Sequence, residues 1–174
     1  PEMDQPMNDT QHGRRAVPAL NLRKAVVVVP TFNEADNIGR LVPLILDRDE
    51  RLSVLVVDDN SPDGTADIVK ALPGFGDRIL ILERPRKQGL GAAYIAAFKW
   101  ILANTDFEAV FEMDADFSHD PEALDEFLRE IESHDLVLGS RYLHGITVVN
   151  WPLRRLLLSA FANLYVRMIL GVKA

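Results

Sequence analysis

The sequence predicts an α/β protein in which a mostly parallel central sheet is covered by helices on both faces. Short apolar runs, such as residues 25–29 (AVVVV) and 54–57 (VLVV), show no alternation with polar residues, which is typical of strands buried on both faces. Segments with apolar residues at helical spacing separate these runs. Strands that alternate with helices favour a parallel sheet, because each parallel strand needs a crossover from the one before.

The predicted elements follow one another in a regular order. Pro30 ends the first strand, and the apolar face of the next helix consists of Ile38, Leu41, Val42 and Ile45. After the second strand come a turn at 60–64, a short helix to residue 72, a strand at 78–82, a basic loop at 84–91 and a helix through 93–101. A buried strand at 107–113, a helix with Asp120 as N-cap and Pro121 in its first turn, and a strand at 135–138 complete the prediction.

Composition is that of a folded globular domain and excludes several classes of protein. The 174 residues suffice for one domain with a core, and 48% of them are hydrophobic. The net charge of −7 argues against a general nucleic-acid-binding protein. The chain has no cysteine, which excludes disulfides and thiolate metal sites, and its four histidines lack zinc-like spacing. Residues 1–22 are polar without an apolar signal-peptide core, so we expect a disordered leader before a domain at 23–174.

Acidic residues follow three of the predicted strands. Glu34 comes soon after the first strand, Asp58 and Asp59 follow the second, and Asp114 and Asp116 follow the fourth. The carboxyl ends of parallel strands share one edge of the sheet, where ligands of open α/β sheets bind, so we expect these acids to converge. Crowded carboxylates repel one another, and a hard cation shared with substrate phosphates would relieve that repulsion. Taken alone, Asp114-Ala115-Asp116 fits a helix-capping turn equally well.

Six motifs in the chain match those of one known family in order. They are PTFNE at 30–34, VDDNSPDGT at 57–65, GLGAAY at 89–94, DADFSH at 114–119, GSRY at 139–142 and NWPLRR at 150–155. Together they resemble polyprenol-phosphate (dolichol-phosphate) mannose synthases of the actinobacterial type, which are family 2 inverting glycosyltransferases with the Rossmann-like GT-A fold. The resemblance covers about residues 24–172, and WPLRR points to the lipid-phosphate sugar synthases within the wider family.

The resemblance implies roles for the residues at matching positions. The nucleotide-sugar site would include Pro30, Phe32, Glu34, Val57, Asp58, Asp59, Asp114, Ala115 and Asp116. Of these, Asp114 and Asp116 would hold Mg²⁺ or Mn²⁺ on the diphosphate. Ser118 stands where some relatives have a glutamine ligand, and it would reach the metal only weakly or through water. Arg141 and one of Arg154 and Arg155, preferably Arg155, would bind the acceptor phosphate.

The activity implied by the resemblance is transfer of mannose from GDP-mannose to a polyprenyl or dolichyl phosphate, with Asp116, Arg141 and Arg155 as the residues that carry the chemistry. The acceptor is already an anion, so it needs no general base. Three alternatives stay open on the residues alone. They are transfer of glucose or another sugar to the same lipid, a non-catalytic nucleotide-sugar-binding domain, and an aspartate phosphoacceptor domain, which would leave Arg141 without a purpose.

Residues 153–170 form a predicted amphipathic helix that is too short and too charged to span a bilayer. The helix fits either a membrane surface or a domain core. The first possibility predicts a peripheral protein on the cytoplasmic face of the cell membrane, without a transmembrane span. Relatives continue beyond this point, so we expect the catalytic domain to be truncated here.

Several smaller features have ordinary structural interpretations. Residues 89–91 are expected to form a tight turn and a helix N-terminus, with the charges of Arg84, Arg86 and Lys87 in solvent. Asp63 and Gly64 are expected to form a turn, His119 and His144 to lie on the surface, and Tyr142 to pack.

Overall fold

A computed structural model describes residues 21–139, and predictions for residues 1–20 and 140–174 lie outside the described residues. The strands are β1 (Ala25–Thr31), β2 (Leu52–Asp58), β3 (Ile79–Glu83) and β4 (Ala109–Glu112). The helices are α1 (Ala35–Leu46), α2 (Thr65–Ala71), α3 (Leu90–Asn104) and α4 (Leu124–Glu130), the last preceded by a 3₁₀ turn at Pro121–Ala123. The strands form one parallel sheet in the order β3-β2-β1-β4.

The two central strands, β1 and β2, have the β-branched runs that predicted them. Every residue of β2 is buried, and in β1 only Pro30 is partly exposed. A side chain on either face of these strands meets a helix layer, which explains why polar residues do not alternate with apolar ones. The predicted buried strands are confirmed at these two positions.

Helices cover both faces of the sheet, as predicted. On one face, Ile38, Leu41 and Val42 of α1 join residues of α2 and α4 in a core that includes Val27 and Val29 of β1. On the other face, buried alanines and Ile101 of α3 pack against the remaining side chains of β1 and β2. Leu22, the last residue of the predicted leader, is itself buried in the first core.

β4 differs from the predicted fully buried strand. Ala109 and Phe111 are buried, whereas Val110 and Glu112 are exposed. Among the described strands, β4 pairs only with β1 and lies at the edge of the sheet. The helix layer formed by α3 covers β1 and β2, and its core does not include Val110. The strand is therefore buried on one face only.

The predicted strand at 135–138 is wrong for the structure described. These residues are in irregular conformation, and Leu136 and Leu138 are 71% and 70% exposed. An extended segment becomes a strand only when a neighbour supplies ladder hydrogen bonds, and no described strand pairs with this one. The three consecutive apolar residues at 136–138 predicted a buried segment, but no described element covers them.

The start of the last helix follows the prediction. The Asp120 carboxylate accepts a hydrogen bond from the Glu122 N–H at 2.9 Å, and Pro121 occupies the first position. The first turn is 3₁₀ rather than α, and α4 begins at Leu124. Within the part of the chain that the structure describes, no helix has the length and apolar character needed to cross a membrane.

Candidate active site

The predicted acids lie in loops at the carboxyl edge of the sheet. We call residues 31–35 the β1 loop, 58–65 the β2 loop, 84–89 the β3 loop and 113–120 the β4 loop. Because all four strands are parallel, these loops emerge at the same edge. Pro30 of β1 lies opposite Val57 of β2, which sets the β1 and β2 loops side by side.

Hydrogen bonds join the β1 loop to the β2 loop. The N–H groups of Asn33 and Glu34 donate to the hydroxyls of Ser61 and Thr65, each at 3.0 Å. The Ala35 N–H donates to the Asp63 carboxylate at 3.0 Å, which also accepts from the Thr65 N–H at 3.1 Å. Gly64 has a left-handed φ of 87°. The predicted turn at Asp63-Gly64 is confirmed, and it fixes both loops.

Asp58 is buried, and its carboxylate is held by the loops around it. Its oxygens accept hydrogen bonds from the Thr31 hydroxyl and the Ser61 N–H, both at 2.9 Å, and from the Ser61 hydroxyl. Asp58 is only 2% exposed. These hydrogen bonds tie the carboxylate to residues of both loops, so Asp58 anchors the β1 and β2 loops to each other.

Asp59 forms a buried ion pair with Arg84 of the β3 loop. Asp59 Oδ1 and Arg84 Nη1 lie 3.0 Å apart without hydrogen-bond geometry, and the residues are 5% and 9% exposed. Gln88 completes the group, because its N–H donates to Asp59 at 3.3 Å and its side-chain oxygen accepts from Arg84 at 2.9 Å. The prediction that Arg84 lies in solvent is wrong. Asp58 pairs with Glu83 in the sheet, so the residues that follow them, Asp59 and Arg84, lie side by side.

Lys87 and Phe32 bring the β3 loop over the β1 loop. The Lys87 ammonium lies 4.2 Å from the centroid of the Phe32 ring, within the range of a cation–π contact. Lys87 and Arg86 are exposed, as predicted, and Gly89 with φ of 94° precedes α3. The predicted turn and helix N-terminus are confirmed, and Lys87 in addition contacts Phe32, a residue of the predicted nucleotide-sugar site.

The β4 loop presents two carboxylates outward. Met113 and Ala115 are buried, whereas Asp114 is half-buried and Asp116 exposed. The Ser118 N–H donates to Asp116 Oδ1 at 2.9 Å. Hydrogen bonding by the Ser118 side chain, and then by its backbone, holds the pKa of Asp116 below its usual range. Asp116 is therefore ionised at neutral pH.

Three residues with left-handed backbone conformation lie in these loops. They are Asn33, Asn60 and Phe117, with φ of 62°, 59° and 59°. Asparagine tolerates this region, but an aromatic residue rarely adopts it. Such strain costs about 1–3 kcal/mol per residue and clusters at functional sites. The Phe117 ring packs against the core and lies 5.5 Å from the Arg40 guanidinium, which holds the β4 loop against α1.

The donor set of the β4 loop fits a hard divalent cation. In residues 21–139, no group of three or more His, Cys, Asp or Glu side chains is placed to hold a metal alone. Asp114 and Asp116 supply two carboxylates, and Mg²⁺-type sites usually combine one or two carboxylates with water and substrate phosphates. The Glu34 carboxylate accepts a hydrogen bond from the Asn37 side chain at 2.9 Å.

Two predicted site residues cannot be placed, and two contacts in the loops were missed by sequence reasoning. Arg141 and Arg155, the predicted acceptor residues, lie outside the described residues. His119, predicted to be a surface group, is half-exposed but accepts a hydrogen bond from the Asp114 N–H at 3.1 Å. Arg84 contacts a residue of another loop, and His119 contacts a residue five positions earlier in its own loop. Neither contact has a signal in the adjacent sequence.

A parallel sheet covered by helices on both faces defines an α/β class of protein, and sequence comparison specifies the family. Residues 26–171 match the family described as Glycosyl transferase family 2, so the chain belongs to that family. The predicted GT-A class is thereby confirmed.

Two curated relatives are similar over most of this chain. It is 44% identical over 152 residues to the polyprenol monophosphomannose synthase of Mycolicibacterium smegmatis, covering 86% of this chain and 57% of the relative. It is 40% identical over 149 residues to the undecaprenyl-phosphate mannosyltransferase of Micrococcus luteus, covering 86% and 61%. The chain thus spans less than two thirds of either relative.

Among solved structures, the mannosyltransferase PcManGT from Pyrobaculum calidifontis, in complex with GDP-Man and Mn²⁺, is 31% identical with a TM-score of 0.48. The likeness covers 58% of this chain and 29% of that one.

Proposed function

We propose that this chain contains the catalytic region of a metal-dependent mannosyltransferase, which moves mannose from GDP-mannose to a polyprenyl phosphate. The observation that carries the proposal is the outward pair Asp114 and Asp116 at the end of β4 in a family 2 chain. The names of the two curated relatives, a polyprenol monophosphomannose synthase and an undecaprenyl-phosphate mannosyltransferase, support the donor sugar and the lipid acceptor.

The donor would bind along the carboxyl edge of the sheet. Phe32 and Lys87 lie at the meeting of the β1 and β3 loops, where an aromatic face and a cation suit a nucleotide. The buried Asp58 and Asp59 hold these loops in place. Asp114 and Asp116 would hold Mg²⁺ or Mn²⁺, which neutralises charge that develops on the departing diphosphate. Ser118 fixes the Asp116 carboxylate in its outward position.

The acceptor needs little help to react. A lipid monophosphate is an anion near neutral pH, so it can attack the anomeric carbon without a general base. Attack from the side opposite the leaving diphosphate inverts that centre and gives a β-linked mannosyl phosphate. Arg141 and Arg155 are proposed to bind the acceptor phosphate, because the guanidinium fork pairs with two phosphate oxygens and stays charged. Residues 153–170 are proposed to lie on the cytoplasmic membrane surface, because a lipid acceptor would be held in a membrane.

A transfer assay tests the proposal. The purified chain is incubated with labelled GDP-mannose, Mn²⁺ or Mg²⁺ and a short polyprenyl phosphate, and the organic phase is examined for labelled lipid. We expect a labelled mannosyl lipid that requires metal. A parallel reaction with labelled UDP-glucose tests transfer of the other sugar. Tight GDP binding without a product would contradict the proposal and indicate a nucleotide-sugar-binding domain.

A further inference from the structure

We infer that His119 is a positioning residue that fixes the backbone of Asp114, and with it one carboxylate of the proposed metal site. This inference rests on the proposed function, since it assigns a purpose to the fixed carboxylate. Its basis is a contact across five residues of the β4 loop: the Asp114 N–H donates to His119 Nδ1 at 3.1 Å.

The direction of the Asp114 N–H explains why it needs a partner. The Met113 N–H makes the last hydrogen bond between this strand and β1, to the Val28 carbonyl at 3.1 Å. Successive N–H groups of an extended chain point to opposite sides, so the Asp114 N–H points away from β1. No described strand lies on that side of β4. The His119 ring supplies the acceptor that a further strand would otherwise provide.

The same ring lies close to the Asp114 carboxylate. His119 Nε2 is 3.9 Å from Asp114 Oδ2, too far for a direct hydrogen bond. Because Nδ1 accepts the backbone hydrogen bond, the ring proton of the neutral imidazole is on Nε2, facing that carboxylate. The His119 side chain thus accepts a hydrogen bond from the main chain of Asp114 and also lies near its carboxylate.

His119 and Ser118 each hold one of the two acidic residues. Ser118 bonds Asp116, and His119 bonds Asp114, so each carboxylate-bearing residue is held by a partner from the same loop. Phe117, between the two acids and their partners, has a left-handed φ of 59°, and the hydrogen bonds on either side of it bring the partners back to the acids. The loop is therefore folded back on itself before any ligand is bound, which is the arrangement that preorganises a metal site.

Two isosteric substitutions separate the acceptor role from a general packing role. In His119→Asn the side-chain oxygen lies near the position of Nδ1, whereas in His119→Gln it lies near the position of Nε2. Both are neutral amides of similar polarity, so they form a matched pair. His119→Ala removes the acceptor altogether. Melting temperatures of the variants check that each is folded. If the alanine variant is not folded, comparison of the asparagine and glutamine variants still tests whether His119 acts as the acceptor.

The first measurement is hydrogen exchange of the Asp114 amide in the metal-free chain. We expect the exchange to be accelerated about tenfold in His119→Ala and His119→Gln and to stay within about threefold of wild type in His119→Asn, since a net hydrogen bond has this magnitude. The second is the affinity for Mn²⁺ in the presence of GDP, which we expect to fall about tenfold in the same two variants and to recover in His119→Asn.

Two results would overturn the inference. One is an Asp114 amide that exchanges at the wild-type rate in His119→Ala, and the other is identical behaviour of the asparagine and glutamine variants. Failure of the proposed function gives a different pattern. In that case the wild-type chain binds no Mn²⁺ with GDP, while the exchange of the Asp114 amide still depends on the position of the acceptor.

Discussion

At the scale of single residues, the buried pair of Arg84 and Asp59 has the largest expected energetic consequence. Both side chains are almost fully removed from water, and Gln88 bonds to each of them. Placing two charges together in a protein interior is nearly neutral in free energy, but removing one partner leaves the other buried without compensation. The pair therefore adds little net stability. It keeps the β2 and β3 loops together because separating the two side chains would leave a buried charge without a partner.

We expect Arg84→Ala to lower the free energy of unfolding by about 3–5 kcal/mol, because Asp59 would be left as an unpaired buried charge. Urea denaturation measures this value. Arg86→Ala, two residues along the same loop at an exposed position, is the matched control and should change stability by less than about 0.5 kcal/mol. Equal effects of the two substitutions would show that the ion pair does not hold the loop in solution.

The residues that sequence reasoning missed share a physical cause. Arg84 stands among other basic residues in a loop, and only the register of β2 with β3 reveals that Asp59 faces it. His119 accepts a hydrogen bond from the Asp114 N–H, which is free to make it because the pairing of this strand with β1 ends at Met113. In contrast, Asp114 and Asp116 could be predicted as site candidates, because an acidic pair soon after a short, mostly apolar run is visible in the sequence itself.

At the scale of elements, the strand–loop–helix units at the start of the chain could be predicted almost completely. The β-branched runs of β1 and β2 and the apolar spacing of α1 arise from local sequence, and each segment is buried as its pattern requires. The failures begin at β4, which is buried on one face only, and continue after it. Residues 135–138 have the composition of a strand, but pairing is a property of two segments, and a single segment does not specify its partner.

Asp63 links the starts of two helices and makes a prediction about pH. Its carboxylate accepts hydrogen bonds from Ala35, the first residue of α1, and Thr65, the first residue of α2. The Thr65 side chain, followed by backbone N–H groups, lowers the pKa of Asp63. Since the folded-state pKa is depressed, this stabilisation is present above the unfolded pKa and is lost as the pH falls through the folded value.

We therefore expect Asp63→Asn to destabilise the chain at pH 7 and to lose less stability than wild type between pH 5 and about pH 2, the range in which aspartates with lowered pKa values become protonated. Urea unfolding across this range provides the comparison. Asp67→Asn removes the same formal charge from an exposed position of α2 and corrects for net charge. An unchanged acid sensitivity in Asp63→Asn would contradict the capping role.

At the scale of the whole molecule, the proposed function divides the site into a donor side and an acceptor side. The described loops would form the donor side, and the family resemblance implies that Arg141 and Arg155 bind the acceptor. Lysine keeps the charge of arginine but loses its planar fork, so only an oriented phosphate contact should be sensitive to the exchange.

We expect Arg141→Lys and Arg155→Lys each to reduce transfer roughly ten- to a hundredfold, the effect of one charge-assisted hydrogen bond, and to leave GDP affinity nearly unchanged. Initial rates at varied polyprenyl phosphate and calorimetry with GDP provide the two readouts. Arg154→Lys, the neighbouring position not assigned to the acceptor, is the control. A loss of GDP affinity that parallels the loss of rate would move these residues to the donor side.

The central claim is that Asp114 and Asp116 bind the donor through a divalent cation, and GDP affinity with and without metal tests it most directly. Calorimetry on wild type and Asp116→Ala, each with Mn²⁺ and with a chelator, gives four values. We predict that Mn²⁺ strengthens GDP binding to wild type at least tenfold and barely affects Asp116→Ala, while the two proteins bind GDP alike in the chelator. Equal losses of affinity with and without Mn²⁺ would contradict the metal-binding role of this carboxylate.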